Sequence, residues 1–272
     1  MVAMDRHRER IRDRLRASSI RRAGPGSISW KINRSWFVLA GWGPAILLQL
    51  AHPLVAAGVG QHSQFRGSLR NGLRRFWATV TAMRAITFGT DDEMVDAVAR
   101  IAAVHDRVRG QLSSAVGVHQ AGARYSAHDA DLQRWVHTTL LYAIPSTYAR
   151  VVGPLTDDDR DRYCAEATIM EPLMGLPDGS LPRTWSDVQQ SVAAMVDGPT
   201  LAISDESRAL AHAVLYPPHW WLLFPLFRPV QLLTIALLPP PLREKYGLPW
   251  TPRHVRALAR WTRLARLVGR WL

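Results

Sequence analysis

The stretch Asp91-Asp92-Glu93-Met94-Val95-Asp96-Ala97-Val98-Ala99-Arg100-Ile101-Ala102-Ala103-Val104-His105-Asp106-Arg107-Val108-Arg109-Gly110 decides how this chain is read. Met94, Val95, Val98, Ile101, Ala102, His105 and Val108 recur at the spacing of one helix face. The acidic start suits the positive end of a helix dipole. Asp91 or Asp92 is the expected cap and Gly110 the expected stop. A helix is therefore predicted whose buried stripe carries a histidine. A histidine so placed is ordinarily a hydrogen-bonded core residue, but its neutral nitrogen is also a ligand for a metal or a haem iron.

The same periodicity dominates on either side. Leu69, Leu73, Phe76, Val80, Met83 and Thr87 predict a helix over 68–88 that Gly89 ends. Arg75 and Thr79 stand four apart on it, putting a cation and a small hydroxyl on one face. The apolar run from Trp36 to Ala57 is interrupted by Gly41, Gly43 and Pro44 and reads as a core helix kinked near Pro53. His52 is a candidate pocket residue there, with a local hydrogen-bonding role as the alternative. Asp129 is the expected cap of a helix carrying Leu132, Trp135, Val136, Thr139 and Leu140. His137 lies near that seam with no second histidine four residues away, so no helical metal pair is built. Further helices are expected over about 157–174, 185–196 and 209–214, and from Thr251–Pro252 onward. No repeat, linker or sustained strand alternation interrupts them. The expected fold is all-α: a single compact multi-helix domain over 27–272, after a basic arm over 1–26 that is partly helical or disordered.

Composition narrows the function classes. The chain has 272 residues, 47 % of them hydrophobic, enough for a substantial core. Its one cysteine, Cys164, excludes an internal disulfide framework and a multi-cysteine zinc site, and reads as a buried thiol in a reducing compartment. Charges interrupt residues 5–22, so no secretory leader is expected and a cytoplasmic location is. The net charge of +12 is concentrated at the ends, with +5 over 1–26 and +6 over 251–272. Specific nucleic-acid binding is not expected from so balanced a middle. Peripheral contact with an anionic membrane is a candidate, through these arginines and the apolar residues 219–238. Pro225 and Pro229 break that stretch, and internal packing is its simpler reading. No Walker loop, dinucleotide fingerprint or zincin motif is present. Ser63 and Cys164 lack a nucleophile setting, and Glu166 and Glu171 are five apart, a poor spacing for a carboxylate pair on one helix.

Several short patterns follow one another in a telling order: the run from Leu48 to Val59, Arg75-xxx-Thr79, Phe88-Gly89, His105-xx-Val108-x-Gly110, Tyr125-Ser126-Ala127, Trp135-Val136-His137-Thr138-Thr139-Leu140 and Tyr246-Gly247-Leu248-Pro249-Trp250. Together they resemble the DUF2236 family over about residues 30 to 265. That family includes the fungal MpaB oxygenase and the bacterial latex-clearing rubber oxygenases. The resemblance implies an all-helical haem b domain of the rubber oxygenase type with His105 as the proximal iron ligand. It implies that Arg75 contacts a propionate and that Thr79 lies near the distal or propionate side. His137 falls in another family motif and His52 is a cavity-lining candidate, so Thr79, His137 and His52 are the candidate catalytic residues. The implied reaction activates dioxygen at iron to oxidise an apolar or unsaturated small molecule. Cleavage of a carbon–carbon double bond is its sharpest form, and the mono- or dioxygenase outcome is left open. An isoprenoid, fatty or aromatic metabolite is a better expectation than polyisoprene, and an external electron donor is a candidate partner. The alternative is a non-catalytic haem or lipid-binding sensor or carrier.

Overall fold

The computed structural model describes residues 2–62, 69–216 and 224–269. Helices make up most of it. α1 (Val2–Ala17) comes from the basic arm; α2 (Ile28–Asn33), a 3-10 turn (Trp36–Gly41), α3 (Trp42–Leu50) and α4 (Pro53–His62) follow. α5 (Leu69–Phe88) and α6 (Asp91–His105) form an antiparallel hairpin, and β1 (Arg109–Gln111) pairs antiparallel with β2 (Arg124–Ser126). α7 (Ala130–Val151), α8 (Asp157–Ala167), α9 (Met170–Met174), α10 (Trp185–Asp197) and α11 (Asp205–Leu215) come next. α12 (Phe224–Leu237), α13 (Pro240–Lys245) and α14 (Pro252–Gly269) complete the chain.

α7 is the central post. Asp129 caps it by accepting the Asp131 and Leu132 N–H groups, and Leu132, Trp135, Thr139, Leu141 and Tyr148 are buried on different sides of it. A helix buried on several sides needs neighbours that come close, and Gly41 provides one. A Cβ there would meet the Thr147 hydroxyl at 2.9 Å and the Ala143 carbonyl at 3.2 Å, so the Gly-Trp-Gly run serves packing. Pro145 removes one backbone donor inside α7, yet the helix runs through it to Val151, held by what packs around it. Cys164 is fully buried, and burial pushes its thiol up to about 12, leaving an inert thiol at pH 7.

The decisive helix differs from its sequence reading at both ends. Thr90, not Asp91 or Asp92, is the cap of α6, in a reciprocal box with Glu93. The threonine hydroxyl satisfies a free N–H of the first turn, while the aspartates favour the dipole from one position inside. At the other end α6 stops at His105, so Val108 is not helical and Gly110 lies in β1 opposite Tyr125. Three-residue strands are too short to leave an alternating pattern in sequence. The helix expected over 157–174 is likewise two, α8 and α9, separated at Thr168 and Ile169.

α1 docks along α6 and α9 through Ile11, which is fully buried among Val95, Val98 and Leu173. Arg8 pairs with Asp96 at 2.6 Å and Arg12 with Asp92 at 2.7 Å, fixing α1 in register on α6. Buried Glu171 accepts the N–H groups of Gly179 and Leu181, which pins the turn after α9. Among the described residues no single helix is long and apolar enough to cross a membrane.

Candidate functional site

The end of α6 brings together side chains from three distant parts of the chain. Asp106 receives the Nε2 atoms of His7 and His128, each at 2.8 Å, one on each carboxylate oxygen. Arg10 Nη2 lies 2.9 Å from His7 Nδ1. A guanidinium only donates, so Nδ1 of His7 accepts and its Nε2 carries the proton given to Asp106. The bond from His128, followed by that from His7, holds the Asp106 carboxyl below the usual range.

His105 stands beside this group, its ring edge-on to His128 at 5.8 Å between centroids. Burial, then the nearby His128, pushes its pKa down to about 4, so it is neutral at pH 7. Its Nδ1 is buried and has no hydrogen-bond partner among the described residues. A polar atom shut from water without a partner costs about 1–3 kcal/mol. The stripe position read from the sequence is right, but the expected satisfied core histidine is not what forms. His105 instead lines a cavity of about 540 Å³ with His7, Arg10, Arg14, Asp106 and His128. That volume lies within the ~300–1,000 Å³ of small-molecule sites.

A second cavity, about 180 Å³, lies between the 3-10 turn, α5 and α7. His137 lines it with Trp36, Trp42, Met83, Leu140 and Ile144, and Arg22, Asn33, Arg84 and Glu166 set polar groups at the same wall. Burial, with a contribution from His105, lowers the His137 pKa to about 4. The structure therefore brings His105 and His137 into one electrostatic neighbourhood, each facing a different cavity. Arg84, nine residues after Arg75, sits over the Trp36 and Phe88 rings at 5.2 and 5.3 Å on this side.

Thr79 is exposed on α5, beside half-exposed Phe76 and Trp77. The Arg75 side chain lies outside the described residues, as do residues 219–223 of the apolar stretch 219–238. His52 is placed elsewhere. It is buried against His119, ring to ring at 5.1 Å, its Nδ1 accepts the Leu54 N–H at 3.3 Å, and it lines neither cavity. Sequence reading missed His7, Asp106 and His128, whose convergence spans 99 and 22 residues. Only the recurrence of His7, Arg10 and Arg14 on one face of α1 could have signalled it.

Residues 30–268 match the model of the family described as ER-bound oxygenase mpaB/B'/rubber oxygenase, catalytic domain. The chain belongs to this family. No curated protein and no solved structure matches it. Membership makes this an oxygenase catalytic domain, and α1 precedes the matched region.

The residues present fit a haem. A porphyrin supplies four donors to its iron, so the protein need contribute only one or two axial ligands. Among the described residues no group of three or more His, Cys, Asp or Glu side chains converges as a chelating set for a bare metal ion. His105 offers a buried ring with an unsatisfied nitrogen, the second cavity offers apolar walls, and Arg10, Arg14 and Arg84 offer cations for propionates.

Proposed function

We propose that this oxygenase holds haem b through His105 and uses dioxygen to oxidise an apolar or unsaturated small molecule. The observation that carries this reading is the neutral, partnerless buried nitrogen of His105 beside a cavity, in a chain of an oxygenase family. Haem, when bound, supplies the iron that activates dioxygen. The chain's own residues do the rest. His105 would hold the iron, and its low proton affinity would keep the imidazole free to coordinate at pH 7. Asp106, clamped between His7 and His128, fixes the end of α6 on which His105 sits. Arg75 would neutralise a propionate, and Thr79 would offer a hydroxyl to the bound group. His137, kept neutral by burial, is the imidazole of its wall, suited to orient a substrate or exchange a proton. His52 is a more distant contributor, acting through the α3–α4 bend. An external donor supplies electrons where the reaction consumes them.

The enzyme is read as cytoplasmic and peripheral to an anionic membrane. α14 favours that contact, since it exposes Trp261, Leu264 and Leu267 among its arginines. The function is tested by incubating haem-loaded protein with squalene under isotopically labelled dioxygen and following products by mass spectrometry. Repeated incorporation of labelled oxygen is expected. Reversible oxygen binding with no product from squalene, oleate or an aromatic probe would make the protein a haem carrier or sensor instead.

A further inference from the structure

The arginines of α1 divide by what they meet. Arg8 pairs with Asp96 and Asp5, Arg12 with Asp92, and Arg16 with Asp13. Arg10 and Arg14, one turn apart, line the cavity beside His105 and pair with no carboxylate among the described residues. Both acids in that lining are already engaged, Asp13 by Arg16 and Asp106 by two histidines. Neither guanidinium of the cavity therefore has a direct carboxylate partner among the described residues, and Arg10 meets Asp106 only through His7. Burial, and then the like charge of Arg10, lowers the Arg14 pKa, the sign of a cation that a bound anion would stabilise.

Arg14 is also positioned. Its Nε and Nη2 donate to the carbonyls of Arg10 at 3.3 Å and Leu173 at 3.4 Å. Its Nη1 lies where a Cβ on Gly175 would stand, and Gly175 holds a left-handed φ of +77° that favours glycine in any case. The turn after α9 thus leaves a seat for the guanidinium. Around it Val98, Ala102, Leu173 and Met174 give the cavity apolar walls leading to His105.

We propose that this cavity is a carboxylate-binding site, in which Arg10 and Arg14 hold the anionic head and the apolar walls carry its stem toward His105. Guanidiniums match carboxylates in a two-point fork. The carboxylate is either a haem propionate or the head of an amphiphilic acid substrate, and the second source rests on the oxygenase reading above. Both arginines lie on α1, ahead of the matched region 30–268.

The test uses the full chain and two probes, laurate and dodecanol, titrated calorimetrically below micellar concentrations. Haem loss to excess apomyoglobin is followed in parallel. Arg14→Gln is the direct variant; Arg10→Gln is the second, since Arg10 is exposed and its loss leaves the core intact. A substrate site predicts that wild type prefers laurate to dodecanol and that both variants lower laurate affinity about ten- to a hundredfold, with haem loss unchanged. A propionate site predicts haem loss faster by a similar factor at unchanged laurate affinity. Laurate held through the two arginines by a protein that takes up no haem would support the site while removing the oxygenase reading. Unchanged laurate affinity and unchanged haem loss in Arg10→Gln and in folded Arg14→Gln would overturn the proposal.

Discussion

α1 and α5 both lie along α6, and they are finished to different degrees. α1 buries Ile11 completely and closes its contacts with ion pairs to Asp92 and Asp96. α5 buries Val80 and Ile86 in its second half, but Phe76, Trp77, Ala78 and Thr79 are all exposed. Successive residues turn about 100° around a helix, so those four positions sample every side of that turn. One flank of α6 is held by its own packing. The other presents aromatic surface from which a flat apolar ligand can gain contact. The difference separates a flank closed by packing and ion pairs from one that leaves aromatic surface open.

The largest expected effect breaks the finished side. Ile11→Ala should lower unfolding free energy by about 2–5 kcal/mol in urea melts, whether or not haem is present. A loss below about 1 kcal/mol would mean that α1 is not integral to the fold.

An intermediate effect belongs to neither flank and sets the background for both. Burial lowers His52 to about 4, against about 6.5 in an unfolded chain. Between these values the unfolded state binds the extra proton, so the stability present above pH 6.5 is lost as pH falls toward 4. At pH 5 the loss from His52 is about 2 kcal/mol. His52→Asn should flatten the decline of stability between pH 7 and pH 5 by that amount, and an unchanged slope would show that His52 does not titrate in this window.

The smallest effect on folding falls on the open side. Trp77→Ala should change the stability of the haem-free protein by no more than about 0.5 kcal/mol. Haem should leave the same variant several-fold faster than wild type. A large stability loss without any change in haem retention would reverse the roles assigned to the two flanks.

Much of this division is legible in the sequence, and the rest is not for definite reasons. The buried stripe of α6 and the Asp129 cap of α7 follow from helical spacing and a side-chain acceptor, both local properties. Thr90, Asp91 and Asp92 can all cap a helix, and only backbone geometry chooses Thr90 among them. His105, Arg75, Thr79 and His137 stood out through their family motifs. His7 and His128 did not, because their partner Asp106 lies far away along the chain. An arm of arginines looks uniform until the fold shows that Arg8 and Arg12 meet aspartates while Arg10 and Arg14 meet a cavity.

The most direct measurement is haem stoichiometry and spectrum for wild type, His105→Ala and His137→Ala, each expressed with ample haem. The account predicts one haem b per wild-type chain with a Soret band, near-complete loss of haem or of its axial ligation in His105→Ala, and retention in His137→Ala. A wild-type chain that stays free of haem, or a His105→Ala variant with full occupancy and an unaltered Soret band, would contradict it.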